Sequence, residues 1–108
     1  MARFLDELVA IEPRLGPVLN ESHAYFEELL PHLVMGDFVR WMIDHSNTDR
    51  AACAQLIEWW ESRVVDGPED VSELIVVSGV ENLPDPGQPG SSLRELLGPE
   101  LRKFDLWK

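Results

Sequence analysis

Eight prolines divide this 108-residue chain into pieces of helical length. Their positions constrain its fold more than any other feature. A proline has no backbone N–H and clashes with the preceding turn, so it is excluded from a helix interior but tolerated in the first turn. Between Pro13, Pro17, Pro31, Pro68, Pro84 and Pro99, apolar residues recur with the 3.6-residue period of amphipathic helices. No segment alternates apolar and polar residues as a half-buried strand would. The expected fold is therefore all-α, a compact bundle of five or six short helices forming one domain over residues 1–108. No repeat is close enough to define a solenoid, although stacked helical pairs are compatible.

Phe4, Leu5, Leu8, Val9 and Ile11 make the first apolar stripe, which Pro13 interrupts. A second helix is expected from Pro17 to Leu30, ended by Pro31 because proline disfavours helical geometry in the residue before it. Gly36-Asp37 reads as a junction before a short helix carrying Phe38, Trp41 and Met42 and ending near His45. Ser46-Asn47-Thr48-Asp49 supplies cap residues for a helix over 49–65, with Ala52, Cys53, Leu56, Ile57, Trp60 and Val64 on one face and Gly67 at its end. Pro68 then opens a nearly all-apolar central helix, about 68–83, with Glu69, Asp70 and Glu73 near the positive end of its dipole. The run Pro84 to Gly90 reads as an exposed loop. Ser92 and Glu95 have the spacing of a capping box ahead of Leu96 and Leu97, and Gly98-Pro99 precedes a last apolar segment ending in Leu106 and Trp107.

Charge narrows the function. Nine basic against 20 acidic residues leave a net charge of −11, which repels nucleic acid and anionic membranes alike. From Val64 to Leu93 the chain carries Asp66, Glu69, Asp70, Glu73, Glu81 and Asp85 and no Lys or Arg. Such a distribution steers a basic partner. The single cysteine permits no internal disulfide, which fits a reducing cytoplasm. No apolar run reaches the roughly 18–20 residues of a membrane span.

The chain shows no pattern for catalysis or cofactor binding. His23, His32 and His45 lack the paired spacing of metal ligands, so no metal and no cofactor are expected. Cys53 lies inside an amphipathic stripe beside alanines, as a small core residue does. No nucleophile elbow accompanies any serine. No catalytic residue is assigned, and the chain is expected not to be an enzyme. His32, Asp37 and Glu81, polar residues within apolar or junction segments, are expected to form a structural cluster tying the Gly36 junction to the end of the central helix.

The segments Leu30-Pro31-His32-Leu33 with Gly36-Asp37-Phe38, Glu73 to Ser78 with Glu81-Asn82-Leu83, and Leu97-Gly98-Pro99 resemble a group of small all-helical bacterial proteins of unknown function. The resemblance covers about residues 25–100. Bacterial immunity proteins, small antagonists of toxin domains, share this general size and look. The expected function is thus non-enzymatic protein binding, most concretely immunity-type inhibition of a basic toxin domain through Glu69, Asp70, Glu73, Glu27 and Glu28. Two alternatives stand beside it: a homodimeric regulatory or scaffolding module, and an enzyme using His32, Asp37 and Glu81.

Overall fold

The computed structural model describes the backbone of residues 2–26 and 30–105, and the side chains of 3–21 and 30–105. Glu27, Glu28, Leu29, Leu106 and Trp107, like the side chains of His23, Tyr25 and Phe26, lie outside the described residues. The first helix, α1 (Ala2–Ile11), buries Phe4, Leu5 and Leu8. A turn at Glu12-Pro13-Arg14 leads into α2 (Leu15–Phe26), which takes Pro17 into its first turn. Helix α3 (Pro31–Asp44) starts on Pro31, with Leu30 extended before it.

Helix α3 corrects the expected junction at Gly36-Asp37, because it runs through both residues without a break. Val34, Met35, Phe38, Val39 and Met42 are all buried along one face. Their burial outweighs the roughly 1 kcal/mol that an interior glycine costs. Helix α4 (Arg50–Asp66) keeps its expected limits: the Asp49 carboxylate accepts from the Ala52 N–H at 3.3 Å, and Gly67 ends it. Its buried face carries Ala52, Cys53, Leu56, Ile57 and Trp60.

The central segment begins as α5 (Glu69–Leu74), widens into a π turn (Ile75–Gly79) and tightens into a 3₁₀ turn (Val80–Asn82). It is less enclosed than its composition suggests. Val71, Leu74, Ile75 and Val80 are buried, whereas Val77 is 45% exposed. The loop after it is exposed from Asp85 to Pro89, as expected.

The expected capping box at Ser92 and Glu95 does not form. The 3₁₀ segment Ser91–Leu96 starts from Gly90 without a side-chain cap. Arg50 has taken both residues, donating to Ser92 Oγ at 3.1 Å and pairing with Glu95 at 3.2 Å. Gly90 itself is required, since its φ is 86° and a Cβ there would lie 2.8 Å from Ile43 Cγ2. The last described helix, α6 (Pro99–Arg102), is capped from a distance: the Glu61 carboxylate accepts from the N–H groups of Glu100 at 2.7 Å and Leu101 at 3.0 Å.

These elements form an all-α bundle around one apolar core that includes Trp60, Phe38, Leu56 and Ile75. Helix α4 packs against α1, α5, α6 and the 3₁₀ segment Ser91–Leu96, and α3 lies against α2 and the π turn. On the α1 side, Trp59 donates to Glu7 at 3.2 Å while the Arg63 guanidinium covers its ring at 5.0 Å.

Arg94 fastens the C-terminal part to this core. It donates to the carbonyls of Pro84 at 2.7 Å and Leu83 at 2.9 Å, and pairs with Asp105 at 2.5 Å. The Arg94 and Asp105 side chains are only 13% and 9% exposed, so removing one partner strands charge in a dry site. Arg94→Ala should therefore lower the unfolding free energy by about 3–5 kcal/mol in urea denaturation, with Asp105→Ala comparably costly. A loss below about 0.5 kcal/mol would show that the pair is only a surface contact.

Candidate functional site

Of the acidic residues singled out from the sequence, Glu69, Asp70, Glu73 and Glu81 all lie exposed on the central segment. Pro68 sets the start of α5, and Glu69 and Asp70 occupy its first turn, where the helix dipole favours negative charge. Glu69, Glu73, Val77 and Glu81 follow at four-residue spacing and all are exposed. They form a stripe opposite the buried Val71, Leu74, Ile75 and Val80. Among the described residues, Glu69, Glu73 and Glu81 enter no ion pair, whereas Asp66 pairs with Arg63 at 3.2 Å.

The described cations are occupied elsewhere. Arg3 lies 4.0 Å from Glu7, Arg14 pairs with Glu12 and Asp49, Arg40 with Asp37, and Arg50 with Glu95. Arg63 and Arg94 have the partners given above, Lys103 pairs with Glu100, and Arg102 donates to the Leu97 carbonyl. Among the described residues, no cation compensates the negative charge of the stripe. Val77 interrupts the stripe at 45% exposure, and Val65, in the last turn of α4, is 64% exposed.

The expected cluster of His32, Asp37 and Glu81 is not formed. His32 Nδ1 lies 2.5 Å from the hydroxyl of Ser78, a buried residue of the π turn. Asp37 pairs with Arg40 one turn along α3. Glu81 is exposed and makes no hydrogen bond among the described residues, so water solvates its carboxylate at no desolvation cost. A tie between α3 and the central segment does exist, through other groups. Besides His32–Ser78, the Asn82 amide lies 3.7 Å from where a Cβ on Gly36 would stand, and it donates to the Ser78 carbonyl at 2.8 Å.

Cys53 is fully buried and its S–H donates to the Met42 carbonyl at 3.4 Å. Burial pushes its thiol pKa up, which suits packing and opposes nucleophilic chemistry. Among the described residues no three His, Cys, Asp or Glu side chains are grouped to hold a metal ion.

One polar constellation was not anticipated. Arg14, from the turn before α2, bonds Glu12 at 2.8 Å and also reaches Asp49, the cap of α4. Its guanidinium stands 4.9 Å over the Trp41 ring. His45 stacks on Trp41 at 4.0 Å and donates from Nδ1 to the Trp41 carbonyl at 2.7 Å. The four-residue spacing of Trp41 and His45 was visible in the sequence, but Arg14 and Asp49 are 35 positions apart and no local pattern joins them.

Arg14 holds the Glu12 carboxyl below the usual range through its side-chain hydrogen bond, and it does the same to Asp49 with help from the Ala52 N–H. Both carboxyls ionise more readily folded than unfolded. Their contribution is complete above the ordinary carboxylate values near pH 4 and is lost as pH falls through the lowered folded values. Stability should accordingly decline between roughly pH 5 and pH 2, and Arg14→Gln should flatten that decline. Parallel stability–pH profiles for the two proteins would remove Arg14 as the cause.

Among the described residues no helix is long and apolar enough to cross a membrane. No curated protein and no solved structure matches the chain. A family model described as a domain of unknown function, DUF7674, matches residues 1–108. The match takes in the whole chain, acidic stripe and Arg94 fastening included, and on that basis this helical protein belongs to the DUF7674 family.

Proposed function

We propose that this chain works by binding another protein, with the acidic side of α5 as the contact surface and a basic surface as its complement. The observation that carries this reading is the separation of charge. The described cations are engaged within the chain, while Glu69, Glu73 and Glu81 face water unpaired on one side. A surface of this kind speeds encounter with a basic partner and repels a second copy of itself. That repulsion disfavours a homodimer paired across this face. The enzymatic alternative has less support, because its three residues are not assembled.

The most concrete form of this reading is an immunity-type inhibitor of a basic toxin domain. Its support is the net charge of −11, the chain length and the resemblance to small helical bacterial proteins. Glu27 and Glu28, outside the described residues, remain candidates for the same contact.

The test uses the partner retained from native cells on the immobilised protein, with association rates measured at low and high salt. Exposed charges are screened over about 8 Å at physiological ionic strength, so the rate should fall severalfold as salt rises. The double substitution Glu69→Lys/Glu73→Lys should slow association further, with circular dichroism unchanged. A folded double variant that associates at the wild-type rate would refute the electrostatic contact.

A further inference from the structure

Where α1, α4 and the start of α5 meet, they leave a cleft of about 260 Å³ lined by Arg3, Phe4, Glu7, Arg63, Pro68 and Val71. In a chain of net charge −11, this lining carries two cations and one carboxylate. Neither cation is saturated. Arg63 meets Asp66 at 3.2 Å and covers the Trp59 ring, but its Nε–H is buried with no acceptor among the described residues. Arg3 is 94% exposed and stands 4.0 Å from Glu7, one oxygen of which already accepts from Trp59. A buried donor without a partner is costly, and native structures keep few of them unless water, an ion or a ligand completes the site.

We infer that this cleft binds a small organic acid, a monocarboxylate with an apolar body. The Arg63 guanidinium would hold the carboxylate and Arg3 would close over it at the mouth. The apolar body would lie against Pro68, with Phe4 and Val71 behind it. The inference is independent of the acidic α5 contact, since it concerns another site and another kind of partner.

The chemistry of the lining selects this class. A guanidinium presents a planar fork that matches a carboxylate with two parallel hydrogen bonds. The Arg63 side chain is 29% exposed, and a small turn of its guanidinium toward the cleft brings the Nε–H to an incoming oxygen. The ligand thus supplies the acceptor that the free protein lacks. Glu7 in the lining, Asp66 beside Arg63, and Glu69 and Asp70 directly after Pro68 repel a second negative charge. A dianionic phosphate is disfavoured on that ground. The volume lies below the roughly 300–1,000 Å³ of sites for drug-sized molecules, which limits the ligand to a small acid.

Benzoate, inorganic phosphate and neutral benzamide, each titrated into the full chain at constant ionic strength, test this. The Arg63 Nε–H resonance, assigned by its loss in Arg63→Lys, is followed by proton–nitrogen correlation NMR, and affinities are measured by calorimetry. Benzoate should shift that resonance saturably and slow its exchange with water, whereas benzamide should leave it in place. Phosphate should bind about tenfold more weakly than benzoate or not at all. Arg63→Lys keeps the charge but loses the fork, and should weaken benzoate about tenfold. Arg3→Gln, at an exposed position that the fold does not need, should weaken it severalfold with circular dichroism unchanged.

A resonance that moves no further with benzoate than with added chloride would overturn the inference. Equal affinities for benzoate and phosphate would overturn the assignment to a monocarboxylate. Benzoate binding unchanged in both arginine variants would place the ligand elsewhere and overturn it as well.

Discussion

Trp60 lying against Gly79 is the contact on which the rest of the structure depends. Trp60 is fully buried at the centre of α4, and Gly79 closes the π turn. A Cβ on Gly79 would stand 3.2 Å from Trp60 Cζ3 and 3.2 Å from Met35 Cε. Three elements, α3, α4 and the central segment, therefore meet at a point where no side chain fits without displacement. Interiors packed this closely fix the rotation of the elements that pass through them.

That rotation decides which residues of the central segment face water. In an unbroken α-helix starting from buried Val71, Asn82 would return to the inner face and Leu83 would lie roughly 100° away. The π turn inserts one residue, and Leu83 becomes buried while Asn82 is exposed. On the other side, Glu69, Glu73, Val77 and Glu81 remain in one exposed row. The turn also buries Ser78, whose hydroxyl meets His32 of α3 and whose carbonyl accepts from Asn82. The acidic surface thus follows from core packing as much as from the carboxylates that compose it.

What was legible in the sequence was whatever local chemistry decides. Pro68 marks the start of α5, Asp49 caps α4, Gly67 ends it, and the absence of strand patterning gave the all-α class, whereas Pro31, expected only to end a helix, also starts α3. The charge asymmetry is legible too, as a stretch from Val64 to Leu93 without Lys or Arg. Long-range competition accounts for the misses. Arg50 reaches across 42 residues to take Ser92 from its expected capping role. Ser78 meets His32 where Glu81 was expected, and burial of a continuous apolar face carries α3 through Gly36. No local pattern singles out Arg94, and only the fold shows it among the carbonyls of Leu83 and Pro84. The π turn had no signature beyond an apolar run that a strand or a helix would satisfy equally.

The stability of Gly79→Ala, measured by urea denaturation against wild type, tests the role of the Trp60–Gly79 contact most directly. Helix propensity alone favours alanine over glycine by about 1 kcal/mol. Close packing against Trp60 and Met35 opposes it, since overfilling such a site costs about 1–3 kcal/mol. The packing claim predicts a net loss of stability with a perturbed Trp60 environment in near-ultraviolet circular dichroism. A variant more stable than wild type by about 1 kcal/mol, with an unchanged aromatic spectrum, would contradict it.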